Sequence, residues 1–209
     1  MSSIPAPVAT SQPLEAALRY AARGWQVLPV HAVVNGRCTC GKDDCQSPGK
    51  HPRTDRGVYD ATTDPSKIRD WWRNGSPANV AIRTGLASRL LVVDIDGEAG
   101  LRAIEDLQRQ HGAFPPTATA ITGGGGRHFL FRWPEGADIG NLTRVHGLPI
   151  DVRGRNGYIV SPPSCHASGQ HYVWQADPEA VGIRMPSTDW PARRSPALTR
   201  RLRPTRRPS

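Results

Sequence analysis

The chain has 209 residues, 37% hydrophobic and 6% aromatic, which suits one domain with a sizeable core and is short for two. No apolar run approaches the roughly 20 residues of a membrane span, and the start, MSSIPAPVATSQP, lacks the basic and apolar stretches of a secretory signal. A membrane protein is thereby excluded and a cytoplasmic location expected. The formal charge of +9 is unevenly spread: seven arginines follow Asp189 with no acidic residue among them, leaving 20 basic against 18 acidic residues before them. The net charge therefore does not by itself make the folded part a nucleic-acid binder.

In chain order, residues 13–23 (PLEAALRYAAR) predict a helix with Leu14, Ala17, Leu18 and Ala21 on one face and Gly24 as its C-terminal cap. WQVLPV (25–30) reads as a strand, and residues 31–60 as a loop rich in Gly, Cys, Lys and Asp. A helix over 64–73 opens with Asp64 as N-cap and Pro65 at its first position, and carries Ile68, Trp71 and Trp72. Strands follow at 79–83 and 90–96, then a helix at about 98–111 with Leu101, Ile104 and Leu107 facing inward. The second half is strand and turn: TATAIT (117–122), GGGG (123–126), RHFLFRW (127–133), PIDVR (149–153), GYIVS (157–161) and HYVWQ (171–175). Helices near the first strands and successive strands afterwards predict an α+β domain rather than a doubly wound one. The expected organisation is a flexible N-terminus over 1–12, a catalytic domain over 13–186 and a basic, disordered tail over 187–209. That tail reads either as a solvated terminus or as a nonspecific attractor of phosphate backbones.

The chemistry concentrates in LLVVDIDG. Asp94 and Asp96 alternate with Val93 and Ile95, so both carboxylates share one strand face, roughly 6.5–7 Å apart along the chain. Paired carboxylates raise each other's pKa unless a cation lies between them, and hard ions such as Mg²⁺ or Mn²⁺ take such oxygen ligands. Alone, the pair is equally compatible with a polar, solvent-facing stripe. Two further stretches narrow the choice. IDVRGR adds Asp151 in another short apolar strand, and TGGGGRH offers backbone amides at Gly124, Gly125 and Gly126 followed by Arg127 and His128, all potential phosphate partners.

With these residues in place, the sequence resembles the bifunctional primase/polymerase (prim-pol) domain of the archaeo-eukaryotic primase superfamily, from about Leu14 to Trp174. RYAARGWQVLPV, PGKHPR, the WW helix with NVAIRTG, LLVVDIDG, ITGGGGRHFLF and IDVRGRNGYIVSPPSCHASGQHYVW carry the resemblance, in the family's order. It implies a primase-type fold related to RNA-recognition modules, with a mixed or antiparallel sheet, flanking helices and an active site in a cleft on that sheet. It further implies template-directed nucleotidyl transfer in DNA replication, with two Mg²⁺ or Mn²⁺ ions held by Asp94, Asp96 and Asp151 and a nucleotide bound by His128. Arg127 and the glycine amides would help neutralise the triphosphate, with Arg153 and Lys50 as further phosphate contacts. The implied partners are single-stranded DNA template, primer, NTP or dNTP, and a replicative helicase. Two alternatives stand beside this reading. One is a haloacid-dehalogenase-type phosphatase, whose strand-DxDG motif normally continues with Thr or Val where Glu98 stands here; the other is a zinc-containing DNA-binding replication accessory without turnover.

The loop over about 36–53 holds Cys38, Cys40, Cys45 and His51, a C-x-C-x4-C-x5-H spacing. Clustered cysteines in a cytosolic chain point to metal rather than disulfide, and three thiolates with one imidazole suit a closed, structural Zn²⁺ site. His51 also falls in a G-K-x-P element shared with relatives that lack the cysteines, so it is the least fixed of the four ligands. Cys165 reads as a buried free thiol, and His166 as structural or, alternatively, adjacent to the active site.

Overall fold

In the computed structural model, which describes residues 12–186, the first helix, α1 (Gln12–Ala22), buries Ala16, Ala17, Tyr20 and Ala21. The face is thus centred on small residues and one tyrosine, and Leu14 and Leu18, expected on the same face as Ala17 and Ala21, pack partly buried against that core. Tyr20 keeps its hydroxyl satisfied by donating to the Pro162 carbonyl at 2.6 Å and accepting from the Trp174 indole at 3.1 Å. Gly24 ends the helix at φ +82° as its position predicts. The predicted flexible terminus, save Gln12, and the predicted basic tail lie outside the described residues.

The strands are β1 (Val27–His31), β2 (Val33–Val34), β3 (Arg37–Cys38), β4 (Ala78–Arg83), β5 (Leu90–Ile95), β6 (Thr119–Ile121), β7 (Arg127–Arg132), β8 (Ile150–Arg153), β9 (Tyr158–Val160) and β10 (Val173–Ala176). All their pairings are antiparallel, within the α+β class expected, and they form two main sheets: β1-β4-β9 and β10-β6-β7-β5-β8. A small hairpin of β2 and β3 turns on Asn35 and Gly36, both at positive φ, inside the stretch read as loop.

The remaining helices cover these sheets. α2 (Pro65–Trp71) starts as the sequence predicts: the Asp64 carboxylate accepts from the Ser66 amide at 2.8 Å and Pro65 takes the first turn. It buries Ile68, and the following Trp72 packs with it into a core shared by α1, β4 and the inner face of β5. α3 (Gly97–His111) covers the opposite face of the five-stranded sheet, where Ile104, with Leu101 and Leu107, meets Leu91, Val93 and Ile95. A short α4 (Pro178–Val181) closes the described chain. β5 is therefore buried on both faces, with odd-numbered apolar residues toward α3 and even-numbered ones toward the second sheet. Among the described residues no helix is long and apolar enough to cross a membrane.

Chemical denaturation ranks these contacts. Ile68→Ala removes a fully buried side chain and is expected to lower the unfolding free energy by about 2–5 kcal/mol, whereas Asp64→Ala loses one exposed cap, worth about 1 kcal/mol.

Candidate active site

β5 is the second strand in from the edge of its sheet, and its register builds the site. Asp94 is the Cα partner of His128 on β7 and of Asp151 on β8, so three polar side chains from three strands project on one face. Leu90 and Val92, on that same face, are buried against the second sheet. Beyond them lies a cleft of about 370 Å³ whose lining includes Asp94, Asp96, His128, Arg153, Tyr158 and Lys50.

Asp94 is only 8% exposed. Its Oδ1 lies 3.2 Å from His128 Nε2, and its Oδ2 accepts from Arg153 at 3.0 and 3.2 Å. Burial pushes its carboxyl up, but the charges and hydrogen bonds of His128 and Arg153 outweigh it and hold the pKa at about 2. Arg153 also donates to Asp151 Oδ2 at 2.8 Å, a contact that strand alternation permits because residues 151 and 153 share a face. Asp151 Oδ1 accepts the Arg144 amide at 2.8 Å. The Nδ1 atom of His128 is buried without a partner, and Tyr172, which the sequence reading did not single out, places its ring 6.0 Å from the imidazole.

Asp96 follows the last residue of β5, in extended backbone at the N-cap of α3, with no capping bond of its own. Its carboxyl is raised by burial and by the charges of Asp94 and Asp151, against weaker opposing pulls from Lys50 and Arg153. Asp94 and Asp151 thus share one guanidinium, and Asp96 lies near enough for their charges to act on it. An all-oxygen donor set of this charge fits Mg²⁺ or Mn²⁺, and Asp94, Asp96 and Asp151 are the residues that could hold such an ion. Their oxygens are more widely set than the ligands of a closed cage. Among the described residues the only group with ligand atoms all within 4.8 Å of one another is the cysteine cluster.

The glycine run and Arg127 depart from the expectation. The Gly125 amide donates to the Thr122 carbonyl and the Gly126 amide to the Thr122 hydroxyl, at 3.0 and 2.9 Å, so both are spent in the turn. A Cβ on Gly126 would fall 2.0 Å from the Ile95 carbonyl, so this glycine lets the turn pass against β5; Gly124 is the member of the run that lines the cleft. Arg127 does not join His128. Neighbouring residues on a strand point to opposite faces, and Arg127 bonds Gln175 at 2.8 Å beside Phe129 in a separate groove. That alternation was already available in RHFLF as a signal.

Cys38, on β3, Cys40, Cys45 and His51 come together as the spacing predicts. His51 Nε2 lies 3.5 Å from both Cys38 and Cys45 sulfurs, close to the S–N edge of about 3.6 Å that Zn–S and Zn–N bond lengths give in a tetrahedron. Desolvation pushes the Cys38 thiol up, but the Cys40 and Gly49 amides and His51 pull it down to about 6. For Cys45 the Ser47 amide pulls down, but partial desolvation and the Cys38 and Cys40 sulfurs prevail and raise it. Three sulfurs and one imidazole gathered in this way fit Zn²⁺. The loop is tied to the cleft wall: Asn79 donates to the Gly49 and Cys165 carbonyls at 2.9 and 2.8 Å, and the Tyr158 hydroxyl to the Lys50 carbonyl at 3.1 Å. Lys50 is exposed at the cleft edge. Cys165 is a free thiol but half-buried rather than buried, and His166 lies against Gly124 and Tyr172, beside the cleft.

No curated protein matches the chain. The family described as bifunctional DNA primase/polymerase, N-terminal (Prim-Pol), matches it over residues 17–193, a span that holds both sheets, the carboxylate cluster and the cysteine loop. The match covers most of the chain and agrees with a family whose members act on DNA and nucleotides. The chain belongs to the Prim-Pol family of DNA primase/polymerase nucleotidyltransferases.

Proposed function

We propose that the protein extends nucleic-acid strands on a single-stranded DNA template during replication. A primer 3′-oxygen attacks the α-phosphorus of an incoming nucleotide; the new P–O bond forms as the bond to the β-phosphate oxygen breaks, and pyrophosphate leaves. The observation that carries this reading is the register of β5 with β7 and β8, which sets Asp94 opposite both His128 and Asp151, with Asp96 beside them at the cleft.

The residues divide the work. Divalent ions held by Asp94, Asp96 and Asp151, two in the reading favoured here, would supply charge stabilisation at the attacking and leaving oxygens. Asp94 stays ionised at neutral pH because His128 and Arg153 face it, so it is available as a ligand without a prior proton loss. Arg153 and Lys50 present cationic groups to the cleft, placed to balance triphosphate charge. His128 lines the cleft with its Nε2 toward Asp94, which places the imidazole beside a bound nucleotide. Zn²⁺ at Cys38, Cys40, Cys45 and His51 has a structural role: His51 adjoins Lys50 in the chain, so fixing the loop fixes a cleft cation.

Primer extension with Mg²⁺ or Mn²⁺ tests the assignment. Asp94→Asn and Asp151→Asn are expected to lower extension at least about 100-fold with melting temperature held near wild type; undiminished extension by either would contradict the metal role. A fold-competent wild type with no synthesis under any template, primer or nucleotide condition supports the accessory alternative.

Elemental analysis and kinetics test the loop. Protein purified without chelator is expected to carry about one zinc per chain. Cys45→Ser should lose it and raise the nucleotide KM several-fold, as Lys50→Ala should with zinc retained. A zinc-free Cys45→Ser protein with an unchanged KM separates the loop from the cleft.

A further inference from the structure

The three-stranded sheet carries an exposed aromatic group that neither core nor cleft uses. Tyr59 sits on a 3-10 turn over Gly57–Asp60 and is 60% exposed. Its ring is not loose: the Arg83 guanidinium lies over it, 5.5 Å from the centroid, and Arg83 is itself held by Gln26 at 3.2 Å and Asn156 at 2.8 Å. The turn is pinned below by the Thr54 hydroxyl donating to the Gly57 carbonyl at 2.7 Å, while Arg56 is taken up by Asp60. One ring face is thus covered by a cation and much of the ring is open to solvent. An ordered, solvent-facing tyrosine backed by arginine is the arrangement on which an unpaired base stacks, because every base offers a π-face and the phosphate beside it finds a positive charge.

Position decides the partner. Arg83 on β4 is the Cα partner of Tyr158 on β9, and Tyr158 and Asn156 both line the cleft. Tyr158 and Arg153 line the same cleft, and Arg153 bonds Asp94 and Asp151. A continuous path therefore runs from the carboxylates through Arg153 and Tyr158 to the Arg83–Tyr59 ledge. We infer that Tyr59, backed by Arg83, is a stacking platform for a base of single-stranded nucleic acid at the cleft mouth, positioning the template strand. The inference rests on the nucleotidyl-transfer reading only for calling that strand a template; the stacking itself is independent of turnover.

Fluorescence anisotropy of the full chain with labelled oligo-dT, without nucleotide or divalent ion, tests the platform. Tyr59→Ala is expected to weaken binding about ten-fold or more, Tyr59→Phe to bind as wild type, and both to melt as wild type. Duplex DNA of the same length should bind alike in all three proteins. In primer extension, Tyr59→Ala should raise the template KM and leave the nucleotide KM unchanged. Equal oligo-dT binding by Tyr59→Ala and wild type, or no binding by the wild type, overturns the platform and leaves the extension reading to its own assay. Absent extension with Tyr59-dependent oligo-dT binding overturns the polymerase reading and keeps the platform.

Discussion

The pairing register of β5 is the constraint on which the structure depends. Along that strand Leu91, Val93 and Ile95 meet α3, while Leu90, Val92 and Asp94 face the second sheet. A slip of one residue would turn Asp94 into the α3 core and move Val93 to the cleft. Asp94 is nearly buried, and a buried carboxylate is stable only beside its partners. Those partners, His128 and Arg153, arrive from the two flanking strands by the same register. The apolar pattern that builds the core and the charged pattern that builds the site are therefore one pattern read on two faces.

The cleft begins where the apolar part of β5 ends. α1, Ile68 and Trp72 share a core with Leu90 and Val92; past Val92 the same face of β5 carries Asp94, which lines the cleft together with Tyr158, Ile159 and Val160 of β9. The cysteine loop forms one rim, tied down by Asn79 and Tyr158, so the Cys3His cluster and the carboxylates lie beside the same cleft. Their ligands keep the two chemistries apart: sulfur and imidazole in the loop, carboxylate oxygen on the strands. Arg153, set between Asp94 and Asp151, offsets carboxylate repulsion within the protein itself.

Much of this was legible in the sequence, for identifiable reasons. Asp94, Asp151 and His128 stood out as ionisable residues in short apolar strands, where polar groups need a purpose. Asp64-Pro65 and Gly24 marked helix ends because capping chemistry is local. Failures came where the answer depended on distant partners. That the strands split into two sheets is a matter of which strand finds which, and no local pattern states it. Thr122 takes up two amides of the glycine run, and a run of glycines alone does not say which amides remain. Arg127 is a different case. Its place beside His128 on a strand already put it on the other face, and its phosphate role rested on adjacency in sequence where alternation should have decided. Arg153 stood only as a further phosphate contact, although residues 151 and 153 share a face in any strand, which is what lets it reach Asp151.

Electron paramagnetic resonance of Mn²⁺ titrated into the full chain tests the central claim most directly, because it reads ion capture by the carboxylates apart from turnover. The account predicts a bound Mn²⁺ signal for the wild type and for Cys45→Ser, and its loss in Asp94→Asn, Asp96→Asn and Asp151→Asn proteins that melt as wild type. Equal Mn²⁺ binding by wild type and all three aspartate variants would contradict it.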